Sequence, residues 1–130
     1  MSVLRVSDFG VSYGPCPVVT GIRFALEEGE WLGLIGANGA GTSSLLKGLL
    51  GLLDHDGERE ILGFVDDAAA SDASLARAIA YLPQNPLFPP GMTVAEYVLL
   101  GRSAHLKWYA SEGRRDRDAV SRALERLDLA

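Results

Sequence analysis

Residues 34–53 read LIGANGAGTSSLLKGLLGLL, and the glycines in this run limit the fold more than any other feature of the chain. Gly36, Gly39 and Gly41 lie between a short apolar run (WLGLI, 31–35) and leucines at 45, 46, 49, 50 and 53, which recur at helical spacing. This order predicts a buried strand, a tight curl and a helix over 43 to about 52. A curl whose amides point inward needs glycines, because a Cβ would block the concavity. A helix starting directly after it adds unpaired N–H groups and the positive end of its dipole. Backbone donors in that arrangement suit an anion with several oxygens, polyphosphate above all.

The run matches G-x-x-x-x-G-K-[ST] at the first glycine (Gly36), the last glycine (Gly41) and the serine (Ser43), but Thr42 replaces the lysine. Threonine keeps the backbone N–H and removes a charge-assisted bond worth roughly 1.5–3 kcal/mol. It also removes a cation that would stabilise charge developing on a transferring phosphoryl group. Lys47 is no substitute: five residues along a helix it is about 7.5 Å down the axis and rotated by roughly 140°. A packing turn with glycines for close approach is the plainer reading of the loop taken alone.

The rest of the chain supplies context. LRVSDFGVSYG predicts two short half-buried strand segments, and PVVTGIRFALEEGE continues the alternation with Ile22, Phe24 and Leu26 on one side. DHDGE predicts a turn at Gly57, EREILGFV a strand, SDASLARA one or two helical turns, and IAYLPQN a strand ending at Pro83. Thr93 with Glu96 three residues on predicts a capping box opening a short helix. Val120, Ala123, Leu124 and Leu127 share one face of a last amphipathic helix, and the mixed charges of EGRRDRD predict its solvated start.

Seventeen acidic against twelve basic residues give a net charge of −5, which argues against a nonspecific nucleic-acid binder. Apolar residues make up 48%, enough for a core, and 130 residues suit one small domain. Cys16, the only cysteine, has neither disulfide partner nor metal-ligand spacing. The N-terminus lacks the apolar core of a signal peptide, and no run reaches the roughly 18–20 apolar residues of a membrane span. The chain reads as cytosolic.

Tyr13-Gly14, then LEEGE (26–30), GANGAGTSSLL and YLPQN resemble, in this order, the N-terminal part of the ATPase subunit of ABC transporters. The resemblance implies an α/β fold: an incomplete P-loop NTPase (RecA-like) core with an N-terminal antiparallel β subdomain and the start of a helical subdomain. It divides the chain into residues 1–33 (β subdomain and loop strand), 34–85 (phosphate loop, first helix and Q-loop strand) and 86–130 (start of the helical subdomain). It implies ATP and Mg²⁺ as cofactors. Tyr13 would stack on adenine, and Gly36, Ala37, Asn38, Gly39, Ala40, Gly41, Thr42, Ser43 and Ser44 would wrap the phosphates. Ser43 and Gln84 would hold Mg²⁺. The region around Gln84 would meet a membrane-spanning permease, placing the chain on the cytoplasmic side of the membrane, and the complete family works as a dimer.

LARAIAYLPQN and MTVAEYVLLGRSAHL narrow the resemblance to importers of iron chelates, haem or cobalamin. The family's L-S-G-G signature, its Asp-Glu strand end and its later histidine have no match here, so no catalytic residue is assigned. Asp66 and Asp67 fall where the family carries a variable hairpin, and His55 and His105 read as surface residues in loops. The resemblance covers about the first half of a family domain, and the expectation is a truncated piece, poorly stable alone and deficient in hydrolysis. Two alternatives stay open: a non-catalytic module that binds nucleotide or a partner, and a decayed fragment.

Overall fold

A computed structural model describes residues 2–65, 72–107 and 110–129. The chain forms two compact units, Met1–Ile79 and Ala80–Ala130. In the first unit, β1 (Ser2–Tyr13), β2 (Cys16–Glu27), β3 (His55–Ile61) and β4 (Phe64–Val65) make one antiparallel sheet in the order β2-β1-β3-β4. Helix α1 (Thr42–Leu49) packs on it, and α2 (Asp72–Ala78) follows the β3–β4 hairpin. Residues 66–71, which include Asp66 and Asp67, lie outside the described residues.

The two short segments expected over 4–13 are one continuous strand with an irregularity in its middle. Leu4 and Val6 keep one alternation, while Phe9 and Val11 keep another that is offset by one residue. The register with both neighbours shifts between Val6 and Gly10, and Asp8 there takes φ +49°. An extra residue in one strand of a pair produces this offset, so both halves of β1 can turn apolar side chains to the same face. Within the bulge, the exposed Asp8 side chain is tied to the Arg23 guanidinium, whose Nε donates to Oδ1 at 2.9 Å. That bond holds the Asp8 carboxyl below its usual pKa. Gly57, expected in a turn, instead lies within β3, which begins at His55. His55 is half-buried with its ring stacked on Phe9 at 5.2 Å between centroids, so it is neither in a loop nor a surface residue.

Val6, Phe9 and Val11 of β1 and Leu45 and Leu49 of α1 form the buried core. Close approach is possible because Gly48 faces the sheet: a Cβ there would run into Val11 and lie 3.5 Å from the Phe9 ring. The leucine spacing thus located α1, and its end comes a turn earlier than expected. Gly51 at φ +74° closes it, with Gly51 N–H donating to Gly48 O (2.9 Å) and Leu52 N–H to Lys47 O (2.9 Å). These two bonds define a Schellman motif, in which glycine takes the left-handed position without a Cβ penalty.

Two expected strands are absent from the described residues. Residues 30–37 are irregular, with Trp31 99% and Ile35 100% exposed, and residues 79–83 are irregular with Leu82 87% exposed. A strand needs a neighbour to take its N–H and C=O groups and an apolar surface to cover its side chains. Among the described residues no strand pairs with either segment, and within 30–37 only Leu34 packs against the core.

In the second unit, α3 (Val94–Leu100) opens with the expected capping box: Thr93 Oγ1 accepts from Glu96 N–H at 3.2 Å, and Glu96 accepts from Thr93 N–H at 2.7 Å. Helix α4 (Arg114–Arg126) buries Val120 on the predicted face. Its start is less solvated than the charge cluster suggested. Asp116 is buried, accepting from Gly113 N–H at 3.0 Å and from Arg102 Nε at 2.9 Å. The Gly113 bond first, then Arg102, holds its carboxyl below the usual range.

Candidate phosphate-binding site

The loop leaves the 30–35 segment, which is exposed except at Leu34, turns at Ala37–Ala40 through an Ala40 N–H to Ala37 O bond (2.9 Å), and enters α1 at Thr42. Asn38 and Gly39 form the exposed tip of that turn. The chain folds back tightly enough that a Cβ on Gly36 would sit 2.9 Å from the Ala40 methyl and 3.4 Å from Thr42 Oγ1. Gly41 has φ +89°, and a Cβ there would lie 2.9 Å from Val18 Cγ1 and collide with Val19. Only glycine meets both demands, the left-handed backbone and the contact with β2. The helix then begins with Leu45 N–H bonding to Gly41 O at 2.8 Å.

No side chain caps α1, and its first turn holds no acidic residue. The leading N–H groups of a helix have no intrahelical acceptor, so Thr42, Ser43 and Ser44 present donors at the positive end of the dipole. Ser43 is exposed beside them. Lys47 is in the last turn of α1, at the end away from the loop, as its spacing implied.

Tyr13 ends β1, half exposed, with its hydroxyl 3.4 Å from Ser44 Oγ across 31 residues of sequence. The antiparallel β1–β2 pair carries Tyr13 to this point, and the packing of Gly41 on Val18 and Val19 fixes the loop to the same pair. The structure therefore brings Tyr13 to Ser44, at the end of the loop. Gln84 is exposed in the second unit, in a bend after the irregular 79–83 segment. Among the described residues no group of three or more His, Cys, Asp or Glu could hold a metal ion.

The glycine curl, the open helix start and the absence of nearby carboxylates in the first turn fit a phosphate chain, with a neutral residue where a cation would complete it. Sequence reasoning missed Arg59. It is only 5% exposed on β3, and its Nη1 donates to Gly48 O (3.2 Å) and Leu49 O (2.7 Å) at the far end of α1. Strand alternation around Ile61 could have marked position 59 as inward-facing.

The family model for ABC transporters matches residues 19–130. The hemin import ATP-binding protein HmuV of Pseudomonas fluorescens is 41% identical, over 98% of this chain and 49% of its own length. The iron(3+)-hydroxamate import ATP-binding protein FhuC of Bacillus subtilis is 30% identical, over 100% of this chain and 48% of its own. A solved ATP binding subunit of an ABC transporter superposes with a TM-score of 0.74 at 29% identity, covering 98% of this chain and 51% of that one. The chain spans about half the length of the relatives it matches. With a family match reaching from β2 through the loop to the last helix, and a fold shared with a solved ATP binding subunit, this chain belongs to the ABC transporter family.

Proposed function

We propose that the chain is the ATP-binding part of an importer ATPase that couples MgATP hydrolysis to uptake of an iron chelate or haem. The observation that carries the reading is the meeting of Tyr13 with Ser44 at the uncapped start of α1, directly after the glycine curl. The hemin and iron-hydroxamate importers among the relatives support the substrate class.

Bound MgATP supplies the phosphoric anhydride whose hydrolysis drives transport. The chain's own residues hold and orient it. The Tyr13 ring stacks on the base, and backbone N–H groups over Gly36–Ser44 donate to phosphate oxygens. The Ser43 hydroxyl would ligate the magnesium. At position 42 only a neutral N–H and a hydroxyl meet the phosphates. Affinity is accordingly low and turnover severely reduced, and this favours, as a second reading, a nucleotide-binding module without catalysis.

No helix among the described residues is long and apolar enough to cross a membrane. The proposed membrane contact is through a permease, met by the region after Gln84 on the cytoplasmic side. A groove of 450 Å³ in that region, walled in part by Met92, Leu99, Leu100 and Leu106, supports such a contact.

Calorimetric titration of MgATP into the chain and into its Thr42→Lys variant tests the site. The lysine restores a charge-assisted bond, so affinity rises roughly tenfold to a hundredfold. No gain would overturn the phosphate-loop reading. A gain without phosphate release favours the non-catalytic module.

A further inference from the structure

Position 59 faces inward with Ile61, and a charged side chain there is expensive to bury unless every donor finds a partner. The cost is offset by what Arg59 touches. Gly48 O and Leu49 O belong to the last turn of α1, where unpaired carbonyls and the helix dipole concentrate negative charge. Gly48 O already accepts from Gly51 N–H in the Schellman turn, so the guanidinium takes a second position on the same oxygen. A Cβ on Gly51 would lie 3.5 Å from Arg59 Nη1, and glycine keeps that approach open.

Helix α1 has only eight residues, about 12 Å of rigid rod. Its far end is held from β3 by Arg59 and seated on β1 through Gly48, its middle is buried in the core through Leu45, and its near end carries the donors of the loop. A shift at the far end is transmitted to those donors, because two turns of helix do not bend independently. We infer that Arg59 is a positioning residue for the phosphate-binding loop, fixing the aim of the α1 N–H groups from the opposite end of the helix. The inference rests on the phosphate-loop reading above.

The test uses the full chain carrying Thr42→Lys, with MgATP as the probe, alone and combined with Arg59→Met or Arg59→Lys. Backbone amide exchange is followed in parallel. Arg59→Met weakens binding at least tenfold and speeds exchange at residues 45–48, while β1 amides at residues 4–11 stay as in the parent. Arg59→Lys keeps the charge on a single donor nitrogen without the planar fork, and loses two- to threefold. Equal affinity with and without Arg59 overturns the inference alone. Faster exchange in β1 to the same degree also overturns it, since the role is then support of the whole sheet. If Arg59→Met does not fold, Arg59→Lys decides by the same criteria, unchanged affinity and unchanged exchange counting against. A Thr42→Lys chain that binds no MgATP identifies failure of the phosphate-loop reading itself, and the inference falls with it.

Discussion

Helix α1 starts at a left-handed Gly41 with no side-chain cap, whereas α3 starts at Thr93 inside a complete capping box. The two also differ in burial: α1 buries Leu45, Gly48 and Leu49, and α3 buries nothing fully. A short helix is marginal by itself and must draw stability from packing or from its own ends. Helix α1 draws it from the sheet and from its closed C-terminus, so its N-terminus can be left open for a ligand. Helix α3 has no comparable seat and closes its first turn with its own side chains. An uncapped helix start on a well-seated helix is thus a better sign of a binding role than the glycines alone.

Breaking the seat has the largest expected effect. Gly48→Val drives methyl groups into Val11 and Phe9 and costs about 1–3 kcal/mol, read as a lower denaturant midpoint. Breaking the cap of α3 costs less. Thr93→Ala removes about 1 kcal/mol, seen as faster amide exchange confined to residues 96 and 97 with α1 unchanged. The same cap is acid-sensitive. Backbone and side-chain hydrogen bonds from Thr93 hold the Glu96 pKa below the ordinary glutamate value. The contribution is therefore complete above the unfolded pKa and is lost as pH falls through the lower folded one. Amide shifts in the first turn of α3 should titrate with Glu96. The start of α1, with no acid in its first turn, should show no matching transition.

The smallest effect concerns how helices end. Helix α4 closes as α1 does, with Leu129 N–H to Leu124 O (2.9 Å) and Asp128 N–H to Glu125 O (3.1 Å). Here Asp128 at φ +56° occupies the position that Gly51 fills in α1. Asp128→Gly relieves left-handed strain against a more flexible unfolded chain, for a net gain of about 0.5 kcal/mol in thermal unfolding. A loss there would mean that the Asp128 side chain itself contributes to the end of α4.

Which parts were legible follows from the range of the interactions. The capping box needed only Thr93 and Glu96, three residues apart, and the face of α1 only its leucines. Both are local and both are present. The curl at Gly36–Gly41 was legible for the same reason. WLGLI and IAYLP carry strand-like composition, but a strand exists only where another segment takes its hydrogen bonds, and local composition cannot report that. The bulge in β1 was hidden because a shift of alternation looks like a break between two strands. Arg59 was hidden because charge normally marks a solvated position, and its partners are carbonyls of a helix end that composition does not locate.

The hydrogen bonds of Arg59 have a kinetic side as well. They link residues 10 and 11 apart in the chain, while Tyr13 reaches Ser44 across 31. Loop-closure entropy makes the shorter closure about 1 kcal/mol less costly than the longer one. The far end of α1 can thus be tied down early, by a contact of low sequence separation, and the tyrosine must then find a loop already held in place. In this chain the scaffold of the site is entropically easier to assemble than the site itself.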